Sequence, residues 1–231
     1  MIPLRDNIPH RRFPVVTTTL IAINVLVFLW ELSLGPALDR AVMRYGVIPA
    51  HLVHGGDRDA LERFLPLVTS MFLHGGWAHI VGNMLYLWIF GDNVEDRLGR
   101  GGYLLFYLAC GVASALAQVA AAPGSTMPMV GASGAIAGVL GAYIVLYPRS
   151  RVLTLIPILI FPWLVMIPAA VFLGLWFLLQ LLSGSLELSA RAGHAGGVAW
   201  FAHVGGFAVG AVIGLVLRAR PDRSEPYEVQ R

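Results

Sequence analysis

Long apolar runs, separated by short stretches that carry charge, glycine or proline, dominate this sequence. A helix needs roughly 20 mostly apolar residues to cross the hydrocarbon core of a bilayer. Six runs approach that length and predict an all-α polytopic membrane protein, a single bundle of six transmembrane helices. We place the six spans at Pro14–Leu34, Trp77–Asp92, Tyr103–Ala121, Ser133–Tyr147, Ile167–Leu182 and Val198–Leu217.

The composition excludes an ordinary soluble domain. Charged residues make up 13% of the 231 residues and hydrophobic residues 57%, whereas about a quarter of the residues in soluble domains are charged. The net charge of +3 comes from arginines spread along the chain, so nothing predicts a nucleic-acid-binding surface. Cys110 is the single cysteine and allows neither an internal disulfide nor a cysteine zinc site.

The segments outside the spans suggest a simple domain plan. We expect residues 1–13 to form a cytoplasmic N-terminal segment, 14–217 the six-helix domain and 218–231 a disordered cytoplasmic tail. Residues 35–70 are predicted to form a long outer loop that is partly ordered and rests on the membrane.

One apolar stretch, Val152–Val165, does not fit a further span. Pro157, Pro162 and Pro168 lie in it or just after it, and proline breaks helices. We expect a broken or interfacial segment that leads into the fifth span.

The arginines orient the bundle. Six spans put both termini on one side, and the side with more arginine faces the cytoplasm. Eleven arginines share the side of the termini, namely Arg5, Arg11, Arg12, Arg97, Arg100, Arg149, Arg151, Arg218, Arg220, Arg223 and Arg231. The other side has Arg40, Arg44, Arg58, Arg63 and Arg191. The sequence therefore predicts a protein of the cell (inner) membrane with both termini in the cytoplasm.

Few strongly polar side chains fall within the spans, where such groups are costly and line cavities or reaction sites. His79 and Asn83 share one face of the second span, Ser133 begins the fourth and His203 lies near the start of the sixth. Since these three spans run from outside to inside, His79, Ser133 and His203 are expected on the outer side at similar depth. The remaining polar residues in the spans are Asn24, Gln118 and Gln180.

Glycines surround the serine and follow the histidine at four-residue spacing, which lets helix backbones approach closely. The fourth and sixth spans are therefore expected to pack together and to bring Ser133 and His203 within hydrogen-bonding reach. The glycines that we assign to this packing are Gly131, Gly134, Gly138, Gly206 and Gly210.

These residues could perform nucleophilic catalysis. A serine hydroxyl becomes a nucleophile when a neighbouring base takes its proton, and His203 is the candidate base for Ser133. The side chains of His79 and Asn83, with the backbone N–H of Ser133, could stabilise the resulting oxyanion. No acidic residue lies in a span core near His203, so the arrangement would be a dyad, with no cofactor and no metal.

Five motifs together carry a family resemblance. The chain contains HIVGN and FGDNVEDRLG in and after the second span, GASG in the fourth, FLGLWFLLQL in the fifth and AHVGGFAVG in the sixth. Over Pro66 to Leu217 it resembles the rhomboid family of intramembrane serine proteases, in the bacterial type with six spans.

The resemblance implies specific roles. Ser133 is then the nucleophile, His203 the general base and acid, and His79 with Asn83 the oxyanion partners. The substrates implied are single-span transmembrane proteins cut within the lipid bilayer. The loop Ser183–Gly197 resembles the family's mobile cap, and the fifth span resembles its lateral gate.

Two features depart from the resemblance. Many family members have an aromatic residue one turn after the serine, where this chain has Ala137, and many bacterial members have a Trp-Arg pair in the first outer loop, which this chain lacks. The orientation of the His203 ring and the anchoring of that loop are therefore open.

Three other functions are each compatible with some of these residues. A rhomboid-like pseudoprotease would bind membrane helices without cutting them, although such proteins typically lack the serine or the histidine. A transporter would spread polar groups through the membrane depth. A metal site would draw on His74, His79, His194 and His203, but no HExxH motif or acidic partner accompanies them.

Overall fold

The structure, a computed structural model, describes residues 1–55, 59–158, 161–189 and 199–219. Its helices are α1 Val15–Ser33, α2 Leu38–Tyr45, α3 Pro49–His54, α4 Ala60–Phe64, α5 Pro66–Thr69, α6 Trp77–Leu98, α7 Arg100–Ala121, α8 Ser133–Leu146, α9 Ala169–Ser189 and α10 Trp200–Arg218. Its strands are β1 Ile2–Asp6, β2 Arg151–Ile158 and β3 Phe161–Pro168. Two 3-10 turns cover Gly35–Ala37 and Ser70–Phe72.

The long apolar helices form a multi-pass membrane bundle. Among the described helices, α1, α7, α9 and α10 are each long and apolar enough to cross a bilayer. The α6 helix qualifies only together with residues 60–72, from which it bends by 79°. The central α8 has only 14 residues, which is about 21 Å against a hydrocarbon core of about 30 Å. The number of six crossings therefore stays a prediction.

Two predicted span boundaries are wrong by more than a turn. The α6 helix continues past Asp92 to Leu98, where Gly99 with φ +70° ends it. The α9 helix continues through Ser183 to Ser189, into the stretch predicted to be a cap loop; the rest of that stretch and the tail from residue 220 lie outside the described residues. The apolar runs underestimate both helices because hydropathy does not mark where the hydrogen bonding of a helix ends.

The all-α prediction is wrong for one part of the chain. Strands β1, β2 and β3 form an antiparallel sheet in that order, with Asp6 opposite Val152 and Arg151 opposite Pro168. The apolar stretch after α8 is thus a β-hairpin joined by the N-terminal strand. Prolines exclude helix in this stretch, and its β-branched and aromatic residues favour strands.

Helix α8 lies at the centre of the bundle and packs against a parallel α10. Every residue from Gly134 to Tyr143 is buried. A Cβ added to Gly210 would lie 1.9 Å from the carbonyl oxygen of Gly138, and one added to Gly206 would lie 2.1 Å from that of Gly134. The two backbones are therefore in direct contact, which only glycine permits at these positions.

A buried carboxylate ties α1 to α6. Glu95 is 4% exposed and accepts hydrogen bonds from the backbone N–H groups of Val16 and Thr17 and from the Thr17 hydroxyl, at 2.8 to 2.9 Å. These backbone groups belong to the first turn of α1, where N–H groups lack partners within the helix. Glu95 thereby caps α1 from a neighbouring helix.

We expect Glu95→Ala to lower the free energy of unfolding by about 3 kcal/mol, because three hydrogen bonds to a charged group are lost inside the bundle. Unfolding by sodium dodecyl sulfate in mixed micelles measures this change. Glu62→Ala, at an exposed site in α4, is the control and should change the free energy by less than about 0.5 kcal/mol. Equal effects of the two substitutions would contradict the capping role of Glu95.

Backbone hydrogen bonds anchor the loop between α1 and α6, which has no Trp-Arg pair. Val47 and Met129 exchange backbone hydrogen bonds at 2.7 and 3.0 Å, and the N–H of Gly131 donates to the Ser70 carbonyl at 2.8 Å. The Thr69 hydroxyl donates to the Tyr45 carbonyl at 2.8 Å within the loop. The loop is therefore fixed to the segment that leads into Ser133.

Candidate active site

Ser133 and His203 meet at the end of the bundle where α8 and α10 begin. Ser133 is the first residue of α8, and His203 lies in the first turn of α10. The Ser133 hydroxyl oxygen is 2.7 Å from Nε2 of His203. Ser133 is half-buried and His203 is 8% exposed. The glycine contact between the two helices sets this distance.

Helix α9 orients the histidine ring. Nδ1 of His203 lies 2.7 Å from Oε1 of Gln180, and the Trp176 ring tilts against the imidazole at a centroid distance of 5.8 Å. When Nδ1–H donates to Gln180, Nε2 has a free lone pair to accept the Ser133 hydroxyl proton. These contacts replace the aromatic residue that Ala137 does not supply. The sequence marked Gln180 as polar within a span but assigned it no role.

His79 and Asn83 face the backbone just before the serine. A Cβ added to Gly131 would lie 2.7 Å from Nε2 of His79 and 3.7 Å from Nδ2 of Asn83. Gly131 also has φ +128°, a conformation that other residues rarely adopt. Because glycine has no Cβ, the side chains of His79 and Asn83 can lie close to the backbone of Gly131.

His74 orients Asn83, a contact that the sequence did not reveal. Nδ2 of Asn83 lies 3.0 Å from Nε2 of His74, and Nδ1 of His74 lies 3.3 Å from the Phe72 carbonyl. The backbone N–H of His74 donates to the buried Glu31 carboxylate at 3.0 Å. One donor of the Asn83 amide is thus used, and the other remains available to a reacting oxygen.

The beginning of α8 supplies further hydrogen-bond donors and room for water. The first N–H groups of a helix have no partner within it, and no side chain caps α8 at Ala132. A cavity of about 30 Å³ beside Ser133 is lined by residues that include Ser70 and Ser114. One water needs roughly 10–15 Å³ of such space. The site can therefore hold a polar oxygen or a water molecule.

The histidines do not form a metal cluster in the parts of the chain that the structure describes. Among the described residues, no three His, Cys, Asp or Glu side chains lie close enough to hold an ion. His74 and His79 have ring centroids 5.2 Å apart, whereas His203 bonds Ser133 and Gln180. His194 lies outside the described residues.

Several known proteins are similar to this chain in sequence. A family model described as the Rhomboid domain matches residues 61–220. Rhomboid protease GluP of Bacillus subtilis is 33% identical over 205 residues, which are 87% of this chain and 35% of that protein. Rhomboid protein 1, mitochondrial, of Saccharomyces cerevisiae is 27% identical over 91% of this chain and 56% of its own length. The human presenilin-associated rhomboid-like protein, mitochondrial, is 36% identical over 58% of this chain and 33% of its own length.

The similarity covers much of this chain but only part of its relatives. The chain spans 35% of the length of the Bacillus protein and 56% of the yeast protein. The family match includes α6 to α10, which carry His79, Asn83, Ser133, Gln180 and His203. With the match over residues 61–220 and the apolar helical bundle, this multi-pass membrane protein belongs to the rhomboid family.

Proposed function

We propose that the protein is an intramembrane serine endopeptidase that uses a dyad of Ser133 and His203. The observation that carries this proposal is the 2.7 Å contact between the Ser133 hydroxyl and Nε2 of His203, whose other nitrogen is held by Gln180. A nucleophile, its base and a group that orients the base are the parts that acyl transfer requires. A purely structural hydrogen bond would need no such orientation.

Each residue has a distinct step in the proposed reaction. His203 takes the hydroxyl proton as Ser133 attacks the peptide carbonyl, and the carbonyl oxygen becomes an oxyanion. His79, Asn83 and the Ser133 backbone N–H donate hydrogen bonds to that oxyanion. His203 then gives the proton to the leaving amine, and the acyl-enzyme forms. A water from the cavity then attacks the ester while His203 takes its proton. His203 returns this proton to the Ser133 oxygen as the second product leaves.

The substrates that we propose are single-span membrane proteins, cut within the bilayer. Their helices must unwind locally, because a helix hides its carbonyl groups in its own hydrogen bonds. Helix α9 is the proposed lateral gate, because it lies between the lipid and the site. Its side chains Leu178 and Leu179 face lipid, and Gln180 of the same helix contacts His203. The relative in Bacillus subtilis is named a protease, which supports this reaction class.

We propose an orientation in the cell (inner) membrane with six crossings and both termini in the cytoplasm. The arginine excess on the side of the termini supports it. Ser133 begins α8 and the N-terminal strand pairs with β2 just beyond the end of α8, so the site would open to the outer side. The water-filled cavity would then face away from the cytoplasm.

A fluorophosphonate probe tests the nucleophile. The purified protein in liposomes should form an adduct at Ser133, identified by mass spectrometry, and Ser133→Ala should abolish it. Ser114→Ala is the matched control, because Ser114 lines the same cavity and should leave labelling unchanged. Binding of a transmembrane peptide with neither labelling nor cleavage would favour the pseudoprotease alternative and contradict the proposal.

Gln180 is expected to position the base. We expect Gln180→Leu to lower kcat by roughly 10-fold to 100-fold with little change in KM, since Nδ1 of His203 loses its acceptor. Gln180→Glu retains an acceptor oxygen and should restore part of the rate. Val212→Ala, at a lipid-facing site on α10, is the control. A rise in KM of similar size, with kcat unchanged, would contradict this positioning role.

A further inference from the structure

The outer strand of the hairpin carries apolar side chains on both of its faces. Trp163 and Leu164 are each 61% exposed, and Val165 and Met166 are 37% and 42% exposed. Because successive side chains of a strand point to opposite faces, the exposed apolar groups do not share a single face. A strand with one face in water alternates apolar with polar residues, and β3 does not.

Beyond Arg151, the first residue of β2, the hairpin has no charged side chain. Residues 152–168 contain no charged residue, whereas Arg149 and Arg151 precede them and are exposed. The buried side chains of Val152 and Thr154 fix the base of the hairpin against the bundle. An uncharged projection with cationic residues at its base is typical of a segment that enters a lipid surface.

The hairpin is continuous with a helix that contacts lipid. Helix α9, a candidate membrane span, begins at Ala169 directly after β3. The N–H of Ala169 donates to the Ser150 carbonyl at 2.8 Å, so the hairpin starts and ends at the same level of the bundle. That level is the end of α8 opposite Ser133. The hairpin therefore projects where the bundle meets the membrane surface.

We infer that the β2–β3 hairpin is an interfacial anchor that inserts the side chains of Trp163 to Met166 between lipid headgroups and acyl chains. Its occupant is the bilayer itself, with anionic headgroups near Arg149 and Arg151. A docked protein would cover one face, whereas lipid surrounds both apolar faces. Tryptophan favours this boundary. The inference does not depend on the proposed catalytic function.

The unpaired edge of β3 limits how deep the hairpin lies. Across the described ranges no strand pairs with the edge of β3 that faces away from β2. Open sheet edges do not occur in the hydrocarbon core, because their N–H and C=O groups would have no partners there. Interfacial segments bury their apolar face about 5–10 Å deep. The hairpin should therefore lie shallower than the spanning helices.

Spin labels on the full-length protein test this placement. Cys110, the single cysteine, is replaced by alanine, and nitroxides are attached after Trp163→Cys or Leu164→Cys in liposomes of phosphatidylcholine with phosphatidylglycerol. Collision rates with oxygen and with a water-soluble nickel chelate report depth. Reference labels are placed at Val212, a lipid-facing site near the middle of α10, and at the exposed Arg12.

We expect the labels at 163 and 164 to report depths between those at 12 and 212, with nickel collisions at least several-fold below the label at 12. A depth equal to that at 12 would place the hairpin in water, and one equal to that at 212 would place it in the core; either result overturns the inference. If either label is protected from oxygen as well as from the nickel chelate, a protein covers the hairpin. That result would also overturn the inference. Since both sites are exposed, the substitutions should preserve folding, which size-exclusion chromatography and circular dichroism check.

Discussion

Replacing His203 with alanine is expected to lower kcat for cleavage of a transmembrane substrate by about 10⁴-fold or more. The imidazole bonds the Ser133 hydroxyl at 2.7 Å and is the only base in contact with it among the described residues. Without it the hydroxyl stays protonated and is a weak nucleophile. Cleavage kinetics in liposomes measure the loss.

The double variant sharpens this prediction. Ser133 and His203 act as one unit, so the variant that combines Ser133→Ala with His203→Ala should be no slower than either single variant. His54→Ala is the control, because His54 is an exposed histidine at the end of α3 and should retain full activity. A rate for His203→Ala within about tenfold of the wild type would contradict the role of His203 as base.

Replacing Gly210 with alanine is expected to separate α8 from α10. The added Cβ would lie 1.9 Å from the carbonyl oxygen of Gly138 and 2.6 Å from its carbonyl carbon. These are backbone atoms, which cannot move aside as the end of a flexible side chain can. We expect a loss of about 3 kcal/mol or more in the free energy of unfolding. Activity should fall with it, since the distance between Ser133 and His203 depends on this contact.

A second glycine provides the matched control for helix propensity. A Cβ added to Gly174 in α9 would meet no atom within 4 Å, and alanine favours a helix interior over glycine by up to about 1 kcal/mol. Gly174→Ala should therefore leave stability unchanged or slightly raise it. Unfolding in mixed micelles compares the two variants. Equal stability of the Gly174 and Gly210 variants would mean that α8 and α10 are not in close contact.

Much of the bundle could be predicted from the sequence because its signals are local. Apolar runs locate the long helices, and the predictions of a multi-pass membrane protein and of rhomboid family membership are confirmed. Gly134 and Gly138 are four residues apart, as are Gly206 and Gly210. This spacing marks the two helix faces that lack side chains and can therefore pack closely. The catalytic roles assigned to Ser133 and His203 on that basis stay predictions.

The parts that the sequence did not reveal depend on distant contacts. Strand β1 pairs with a hairpin that lies after α8, and nothing in either segment alone indicates its partner. Gln180 was visible as an intramembrane polar residue, but its contact with His203 depends on how α9 rotates. His74 was considered only as a metal ligand, because a loop residue shows no periodicity that would direct it to Asn83.

The boundary errors have the same origin. The α6 and α9 helices run past their apolar segments because hydropathy reports where a helix contacts lipid, whereas backbone hydrogen bonding decides where it ends. Gly99 with φ +70° ends α6, and this glycine is a better marker than Asp92. The acidic stretch before it was informative for another reason, because Glu95 within it caps α1.

Cleavage of a single-span substrate in liposomes by the wild type and by Ser133→Ala, prepared in parallel, tests the central claim most directly. Mass spectrometry of the products locates the cut. Our account predicts a cut within the transmembrane segment by the wild type and none above background by Ser133→Ala, which should remain folded because it lacks only one hydroxyl. Cleavage that survives Ser133→Ala at a similar rate would contradict the account.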